Sequence, residues 1–478
     1  MAQARSPLAG LRLHRLVGKR QGVPGRGSGA LVAAAAAANS GTASASVPAD
    51  SVMLFNITDG SSVEEKVAQL LNHAEVAMVQ PDYVRYLAVA PPPPPTAWVP
   101  SGVGRAMVPN DVFFGTYSSH WHLSQISAPV AWDTTTGSKQ VGVCMVDTGA
   151  RVTHQDLAGN IASAWNRAGS PANDTLLYHN VSDHHGHGTH TAGIVGAVGN
   201  NLVGVTGVAW NVSLRICKAA SYNTYWGFFF ATSDVLDCYT LCKQAGVRVV
   251  SASYGGYYVD ALEEAAIADL QQAGILFVAA AGNDGWDNDA LDADIQSNPA
   301  SYGLDNILSV AASRADDQLA SFSNYGATKV HLAAPGINVM STWASADNSY
   351  LPESGTSMAT PIVAGAAALL FAAKPDATYT EVRDALQNSV DLVPGLNGLV
   401  SSSGRLNVAR ALETLLFGAA SDTPPATYVF KTQADIFFNF SFYDSRAEVF
   451  GVADAASCQD SCQVQSWCYY FMYRATPP

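Results

Sequence analysis

Residues 139–147 read KQVGVCMVD, an apolar run that ends on an aspartate. Such a continuous run is typical of a strand buried on both faces in a parallel sheet. The same pattern returns four times downstream, as SLRICKA at 213–219, VRVVSASYGG at 247–256, ILFVAAAGN at 275–283 and NILSVAAS at 306–313. Helical patterns separate these runs. We therefore predict an α/β fold of three layers, in which helices flank a central, mostly parallel sheet.

The composition fits a large packed domain. Of the 478 residues 48% are hydrophobic and 13% are charged, and the net charge is −14. A negative chain does not attract nucleic acid or anionic membranes, so we expect neither as a partner. We also expect no membrane span, and we interpret the apolar run TPIVAGAAALLFAA at 360–373 as a buried helix.

Three motifs place polar residues where such a sheet binds ligands, at the carboxyl ends of its strands. They are VDTGA at 146–150, HGHGTHTAG at 185–193 and GTSMATP at 355–361. A serine hydroxyl needs an imidazole to take its proton, and the imidazole needs a carboxylate to fix its tautomer. The motifs offer one candidate for each role: Asp147, His187 and Ser357. The order Asp, His, Ser is one of the three in which such triads occur.

The stretch from about residue 110 to 417 resembles the subtilisin-like serine protease family, peptidase S8, and is nearer its proteinase K and thermitase-like members. The resemblance implies the subtilisin-like form of the fold. It makes Asp147 the orienting carboxylate, His187 the general base and Ser357 the nucleophile. It further implies a serine endopeptidase that works through an acyl-enzyme and needs no catalytic cofactor, with His190 as a structural residue.

The same resemblance assigns the residues around the reacting groups. The expected donors to the oxyanion are Asn283 and Thr356. Extended substrate is expected to pair with Ser253, Tyr254 and Gly255. The wall of the pocket for the side chain before the scissile bond is expected at Ala280, Ala281 and Gly282. Small residues there predict a roomy apolar pocket.

Structural calcium is the expected cofactor. Calcium takes six to eight oxygen ligands, which carboxylates, amides and carbonyls supply. The resemblance points to Asp156, Asn201, Val203 and Val205, with Asp111 as an added ligand. An ordinary surface turn is the alternative interpretation of these residues.

The predicted organisation has six segments. They are a targeting leader (1–49), an inhibitory propeptide of small α/β form (50–90), a proline-rich linker (91–108), the catalytic domain (109–417), a short linker (418–427) and a partial segment resembling a PAN/apple module (428–478). The leader is rich in Arg, lacks Asp and Glu, and contains an apolar run at 30–38. These features suit a signal peptide, hence an extracellular enzyme, and also suit a transit peptide for organelle import. We predict secretion, with organelle import as the alternative.

The seven cysteines give no clear disulfide framework. Cys144 and Cys217 lie in apolar strands, where we expect buried free thiols. Cys238 and Cys242 are four apart on a predicted helix, a spacing with poor geometry for a bond between them, so we expect core packing. The remaining three are Cys458, Cys462 and Cys468, which cannot all pair with one another.

The leading prediction is a self-processing serine endopeptidase, a monomer whose partners are protein or peptide substrates and its own propeptide. One alternative is a binding protein built on an inactive protease scaffold. Another is a serine esterase, although the nucleophile motif here is GTSMA rather than G-x-S-x-G.

Overall fold

A computed structural model describes most of the chain. The described residues are 12–20, 52–56, 63–71, 76–87, 107–116, 120–168, 180–223, 227–292, 295–418, 428–431, 437–440 and 473–474.

The strands, in chain order, are β1 (Arg12–Arg20), β2 (Val52–Asn56), β3 (Val76–Leu87), β4 (Gly137–Asp147), β5 (Ile161–Asn166), β6 (Asn211–Lys218), β7 (Ala220–Asn223), β8 (Gly227–Ala231), β9 (Val249–Ala252), β10 (Tyr254–Gly255), β11 (Leu276–Ala280), β12 (Ile307–Ser313), β13 (Leu332–Pro335), β14 (Val339–Trp343), β15 (Ser349–Glu353), β16 (Asp391–Leu392), β17 (Gly404–Arg405), β18 (Tyr428–Lys431), β19 (Phe437–Phe440) and β20 (Tyr473–Arg474).

The helices are α1 (Val63–Leu71), α2 (Val112–Thr116), α3 (Trp121–Gln125), α4 (Ala128–Ala131), α5 (His187–Gly196), α6 (Thr232–Gln244), α7 (Ala261–Gln272), α8 (Thr356–Ala373), α9 (Tyr379–Asn388) and α10 (Val408–Phe417). A short 3-10 turn covers Pro394–Leu396.

The central sheet has the order β16-β17-β13-β12-β11-β9-β4-β6-β5. Its neighbours run parallel except at one edge, where β16 and β17 are antiparallel. Strands β9, β11 and β12 are buried throughout, and β4 is buried from Val141 to Asp147, as the continuous apolar runs predict. The mostly parallel sheet is thus confirmed.

Helices cover both faces of this sheet. In β4, Val143 and Met145 face a core shared with α5, α8, α9 and α10, whereas Cys144 and Val146 face a second core shared with α6 and α7. This alternation follows from the two-residue period of a strand. The three-layer α/β architecture is therefore as predicted.

Helix α8 is long and apolar enough to cross a membrane by length and composition alone, but 89% of its most apolar window is buried inside the protein. It packs against β4, β9, β11, β12 and β13. It is the central helix of the first core, as its sequence predicted.

Two disulfides fix α6 to the sheet, so the prediction of free thiols was wrong. Cys144 on β4 bonds Cys242, with their Cα atoms 5.8 Å apart. Cys217 on β6 bonds Cys238, at 5.7 Å. The two helix cysteines share one face, as expected. They do not need each other as partners, because that face lies over two neighbouring strands that each present a cysteine.

A second sheet joins the predicted propeptide to the predicted catalytic domain. Its order is β2-β1-β3-β8-β7, and β10 also pairs with β3. β2, α1 and β3 form where the α/β pattern of residues 50–90 indicated. β1, from within the predicted leader, lies between β2 and β3 as an antiparallel strand. The sequence analysis did not anticipate this strand.

At the other end of the chain, β18, β19 and β20 form a small antiparallel sheet. The cysteine cluster that suggested a PAN/apple module lies outside the described residues.

Candidate active site

The candidate residues lie at the carboxyl edge of the central sheet. β4 ends at Asp147, and β11 ends at Ala280, three residues before Asn283. α5 begins at His187, and α8 begins at Thr356, directly before Ser357. The topology thus brings residues from four distant stretches of sequence to the edge where parallel sheets bind ligands.

The structure brings Asp147 and His187 into direct contact. His187 Nδ1 lies 2.7 Å from Asp147 Oδ1, and both side chains are almost fully buried. Asp147 also accepts hydrogen bonds from the Thr148 amide at 2.7 Å and from the Thr191 hydroxyl at 3.0 Å. The carboxylate is thereby fixed in place. His187 Nε2 is buried and has no hydrogen-bond partner among the described residues.

Gly188 permits this close contact between strand and helix. A Cβ atom at position 188 would lie 2.1 Å from the carbonyl oxygen of Gly149 and 3.1 Å from Asp147 Oδ1. Any larger residue would therefore push α5 away from the end of β4. The glycine that follows His187 in the motif has a packing role.

Asp183 organises the loop before His187. It was not among the predicted site residues. One of its oxygens accepts from the Thr148 hydroxyl at 2.8 Å and from the Gly186 amide at 2.8 Å. The other accepts from the amide and hydroxyl of Thr189, at 2.8 and 2.7 Å. Asp183 so links the residue after Asp147 to the first turn of α5. Its position four residues before His187 was the available signal.

Ser357 does not bond His187 in this structure. Its hydroxyl donates to the carbonyl oxygen of Ser253 at 3.0 Å, and the residue is fully buried. Because α8 begins at Thr356, the Ser357 amide lies in the first turn of the helix, where backbone N–H groups lack intrahelical partners. The helix dipole favours negative charge at that end.

Asn283 is held by Thr356. Its Oδ1 accepts hydrogen bonds from the Thr356 amide and from the Thr356 hydroxyl, both at 2.9 Å. Its Nδ2 is buried, and no acceptor for it occurs in the described part of the chain. The Thr356 hydroxyl hydrogen is thus directed at Asn283. The Thr356 hydroxyl was predicted to donate to the oxyanion, but in this structure it donates to Asn283 Oδ1 and orients that amide.

Ser253, Tyr254 and Gly255 follow the end of β9, and β10 pairs antiparallel with the end of β3. Ala280, Ala281 and Gly282 lie at the end of β11, with both alanines buried. A cavity of about 260 Å³ lies between the two segments. Its lining includes Tyr86, Leu87, Gly255, Gly282 and Asn283.

His190, the second histidine of the motif, is fully buried on α5. Its Nε2 lies 2.9 Å from the Leu351 carbonyl oxygen. Burial lowers the pKa of His190 to about 3, so it is neutral at physiological pH. It serves packing, as expected, and does not point to the reacting groups.

The predicted calcium ligands come together at one turn. The buried Asp156 carboxylate accepts from the Asn201 side chain at 2.7 Å, the Val205 amide at 2.9 Å and the Tyr350 hydroxyl at 2.9 Å. Asp111 accepts a hydrogen bond from the backbone amide of Asn201 at 3.3 Å. Burial raises the pKa of Asp156 to about 6 despite these hydrogen bonds.

Val203 belongs to the same turn, since its amide donates to Asn201 Oδ1 at 2.8 Å. Across the residues described, no group of three or more His, Cys, Asp or Glu could hold a metal ion. A cation at this turn would therefore depend on two carboxylates supplemented by amide and carbonyl oxygens.

A buried carboxylate–imidazole pair, a serine at a helix N-terminus and an unpaired amide donor define a serine hydrolase type of site. Comparison with known proteins specifies the class further. The profile of the Subtilase family, Peptidase_S8, matches residues 138–414.

Three relatives show how far the similarity extends. The thermophilic serine proteinase of Bacillus sp. (strain AK1) is 32% identical over 75% of this chain and 78% of its own length. Thermitase of Thermoactinomyces vulgaris is 35% identical over 64% of this chain and 99% of its own. Halolysin of Haloferax mediterranei is 36% identical over 62% and 54%.

The chain therefore belongs to the subtilase family. It is a hydrolase, a subtilisin-like serine endopeptidase, and the thermitase-like resemblance found in its sequence is confirmed.

Proposed function

We propose that the protein cleaves peptide bonds through Asp147, His187 and Ser357. The observation that carries this proposal is a pair of orphaned polar atoms. His187 Nε2 and Asn283 Nδ2 are both buried and lack partners in the described structure. An unpaired buried polar atom is costly and needs an explanation. The reaction explains both atoms, because His187 Nε2 accepts the serine proton and Asn283 Nδ2 donates to the oxyanion.

The proposed reaction begins at the Ser357 hydroxyl. The Ser357 hydroxyl turns from the Ser253 carbonyl to His187 Nε2, which takes its proton as Oγ attacks the substrate carbonyl. Asp147 holds Nδ1–H and stabilises the imidazolium. The new oxyanion accepts from Asn283 Nδ2 and from the Ser357 amide. His187 gives its proton to the leaving amine, which leaves an acyl-enzyme. Water activated by His187 then releases the acyl group and restores the serine.

A peptidase assay on purified protein tests this proposal. Ser357→Ala removes the attacking oxygen and should abolish turnover of a peptide substrate. Such triad variants retain only about 10³–10⁴-fold over the uncatalysed rate, from the oxyanion donors and binding. The matched control is Ser345→Ala, an exposed serine whose hydroxyl bonds Ser349. Near-normal turnover by Ser357→Ala would refute the assignment. Turnover of esters but not peptides would favour the esterase alternative.

The protein is also proposed to be a zymogen in which residues 50–90 form an inhibitory propeptide. In support, the end of β3 pairs with both β8 and β10, and β10 belongs to the expected substrate strand. A chain that lies there excludes substrate. Self-processing is expected between the proline run that begins at Pro91 and about Asn110.

Calcium is proposed to bind at the turn of Asp156. Asp156 and Asp111, with the carbonyl oxygens of Val203 and Val205, would hold it. Asn201 would join them by turning its side-chain oxygen from the Val203 backbone amide to the ion. The support is a buried carboxylate beside a second carboxylate, since a cation relieves both. The ion would stabilise the fold and take no part in the reaction.

We place the enzyme outside the cell. The two buried disulfides support an oxidising compartment, because disulfides are rare in the cytosol. A linker at 418–427 and a C-terminal module at 428–478 are proposed as the sequence indicated. The boundary of the leader at 1–49 is proposed with one difference, because Arg12–Arg20 forms β1 of the sheet that contains β2 and β3.

A further inference from the structure

The end of β3 lies in the substrate cleft as an extended strand paired on both sides. On one side Leu87 faces Tyr254 and Tyr86 faces Gly255. On the other side Arg85 faces Phe230 and Val84 faces Ala231. Both pairings are antiparallel. Peptides that add a strand to a sheet gain affinity from such main-chain bonds, and side-chain pockets then give selectivity.

The pairing of β3 with β10 shows how many residues separate each position of β3 from the one next to the nucleophile. Ser253, whose carbonyl accepts from the Ser357 hydroxyl, directly precedes Tyr254. In an antiparallel pair, one step forward on β3 is one step back on β10. The register therefore assigns Leu87 to the second residue before the reacting bond, Tyr86 to the third and Arg85 to the fourth.

The Arg85 side chain fills a buried acidic pocket. Its Nη2 lies 2.7 Å from Asp260 Oδ2 and 2.8 Å from Glu263 Oε2. Its Nε donates to Glu263 Oε2 at 3.2 Å, and its Nη1 donates to the Thr232 hydroxyl oxygen at 2.9 Å. All three guanidinium nitrogens are thus bound, and the residue is 3% exposed.

The pocket itself belongs to the catalytic domain. Asp260 caps α7, and Glu263 lies in its first turn, with exposures of 1% and 0%. The hydroxyls of Tyr239 and Tyr302 each lie 3.1 Å from a Glu263 oxygen. The two carboxylates and two hydroxyls carry no positive charge that could replace the Arg85 guanidinium. If β3 leaves, the two carboxylates lose the cation that pairs with both of them, and a substrate side chain of the same charge could replace it.

We propose that Asp260, Glu263 and Thr232 form a specificity pocket that takes an arginine side chain four residues before the cleaved bond of a substrate. Arg85 is the internal copy of that side chain. The pocket selects guanidinium over ammonium, because it offers acceptors to three separate nitrogens, whereas a lysine offers one. This inference rests on the proposed peptidase function.

A pair of peptides tests it without altering the enzyme. The two differ only at the fourth residue before the cleaved bond, which is arginine in one and citrulline, its neutral isostere, in the other. The substrates are given to the mature enzyme obtained by processing of the full chain. Loss of one partner of a buried charge pair predicts a kcat/KM lower by about 30-fold or more for citrulline. Lysine should fall between the two.

A matched pair of variants tests the enzyme side. Glu263→Gln should reduce the arginine preference to a few-fold, while Glu264→Gln, the next residue on the same helix and only half-buried, should keep it. A peptide with alanine at the fourth position reports whether Glu263→Gln is folded and active. If that variant does not mature, the citrulline comparison on the wild type still decides.

Equal kcat/KM values for the arginine and citrulline peptides would overturn the pocket and leave the peptidase function intact. A folded protein that cleaves neither peptide and does not react with a fluorophosphonate would overturn both.

Discussion

The substitution Asn283→Ala tests the proposed role of the Asn283 side chain as a donor to the oxyanion. Its Nδ2 has no partner in the described structure, so removing that donor breaks no hydrogen bond of Nδ2 in the ground state. In the transition state the same donor meets the oxyanion. One oxyanion donor is worth about 2.7–4 kcal/mol, or a factor of about 10²–10³ in kcat. Asn283→Ala should therefore lower kcat by that factor and leave KM nearly unchanged.

The same substitution also has a structural cost that can be separated. It leaves the amide and hydroxyl of Thr356 without the oxygen they bond, at about 1 kcal/mol for each hydrogen bond. Asn283→Asp keeps that oxygen and replaces the donor with an acceptor. It should be the more stable variant and at least as inactive, because a carboxylate repels an oxyanion.

The assay is steady-state hydrolysis of one peptide, with urea unfolding of each variant alongside. Asn306→Ala is the matched control, since Asn306 is a buried amide at the opposite end of the sheet that bonds the Ile267 and Ile275 carbonyls. It should lose stability and keep its kcat. A rise in KM at constant kcat for Asn283→Ala would refute the reasoning and make Asn283 a ground-state contact.

Three further results are expected. The Ser357→Ala chain, purified free of other proteases, should stay uncut between the proline run at Pro91 and Asn110 on a gel, and normal maturation would show that processing is not autocatalytic. A metal that binds only the folded state adds about 2.7 kcal/mol at a hundredfold excess over its Kd, so chelation should lower the Tm of the wild type. Asp156→Ala should lose most of that response, and a wild type that ignores chelator would contradict the calcium site. Removing the Cys144–Cys242 bridge by two alanines should lower the unfolding free energy by up to about 4.7 kcal/mol, the chain-entropy value for a loop of about 100 residues; this bridge spans 98 residues. Urea unfolding that matches the wild type would show that the bridge adds nothing.

The sequence predicted the central sheet because burial leaves a direct trace in it. Strands such as β4 and β11 are apolar on both faces, and the polar residues that follow them lie at the carboxyl edge by topology alone. The contact between Asp147 and His187 followed from two motifs and a family resemblance. The place of Ser357 as the third member of the triad stays a prediction, because its hydroxyl bonds the Ser253 carbonyl in this structure.

The sequence was not sufficient where partners are far apart in the chain. The cysteines of α6 were expected to pack in the core without a bond, because nothing local shows that the strands beneath the helix each present a cysteine. Arg85 and Glu263 are separated by 178 positions, and neither is unusual on its own. The Thr356 hydroxyl was given to the oxyanion because its rotamer, which turns it to Asn283, has no signature in sequence.

The most direct test of the central claim is mass spectrometry of the mature protein after reaction with a fluorophosphonate. We expect one adduct, on Ser357, because only a hydroxyl activated by a neighbouring imidazole reacts readily. His187→Ala, matured by added wild-type enzyme that is then removed, should form no adduct while the protein stays folded. An adduct on another serine, or none on a folded wild-type protein, would contradict the assignment of Ser357 as the nucleophile.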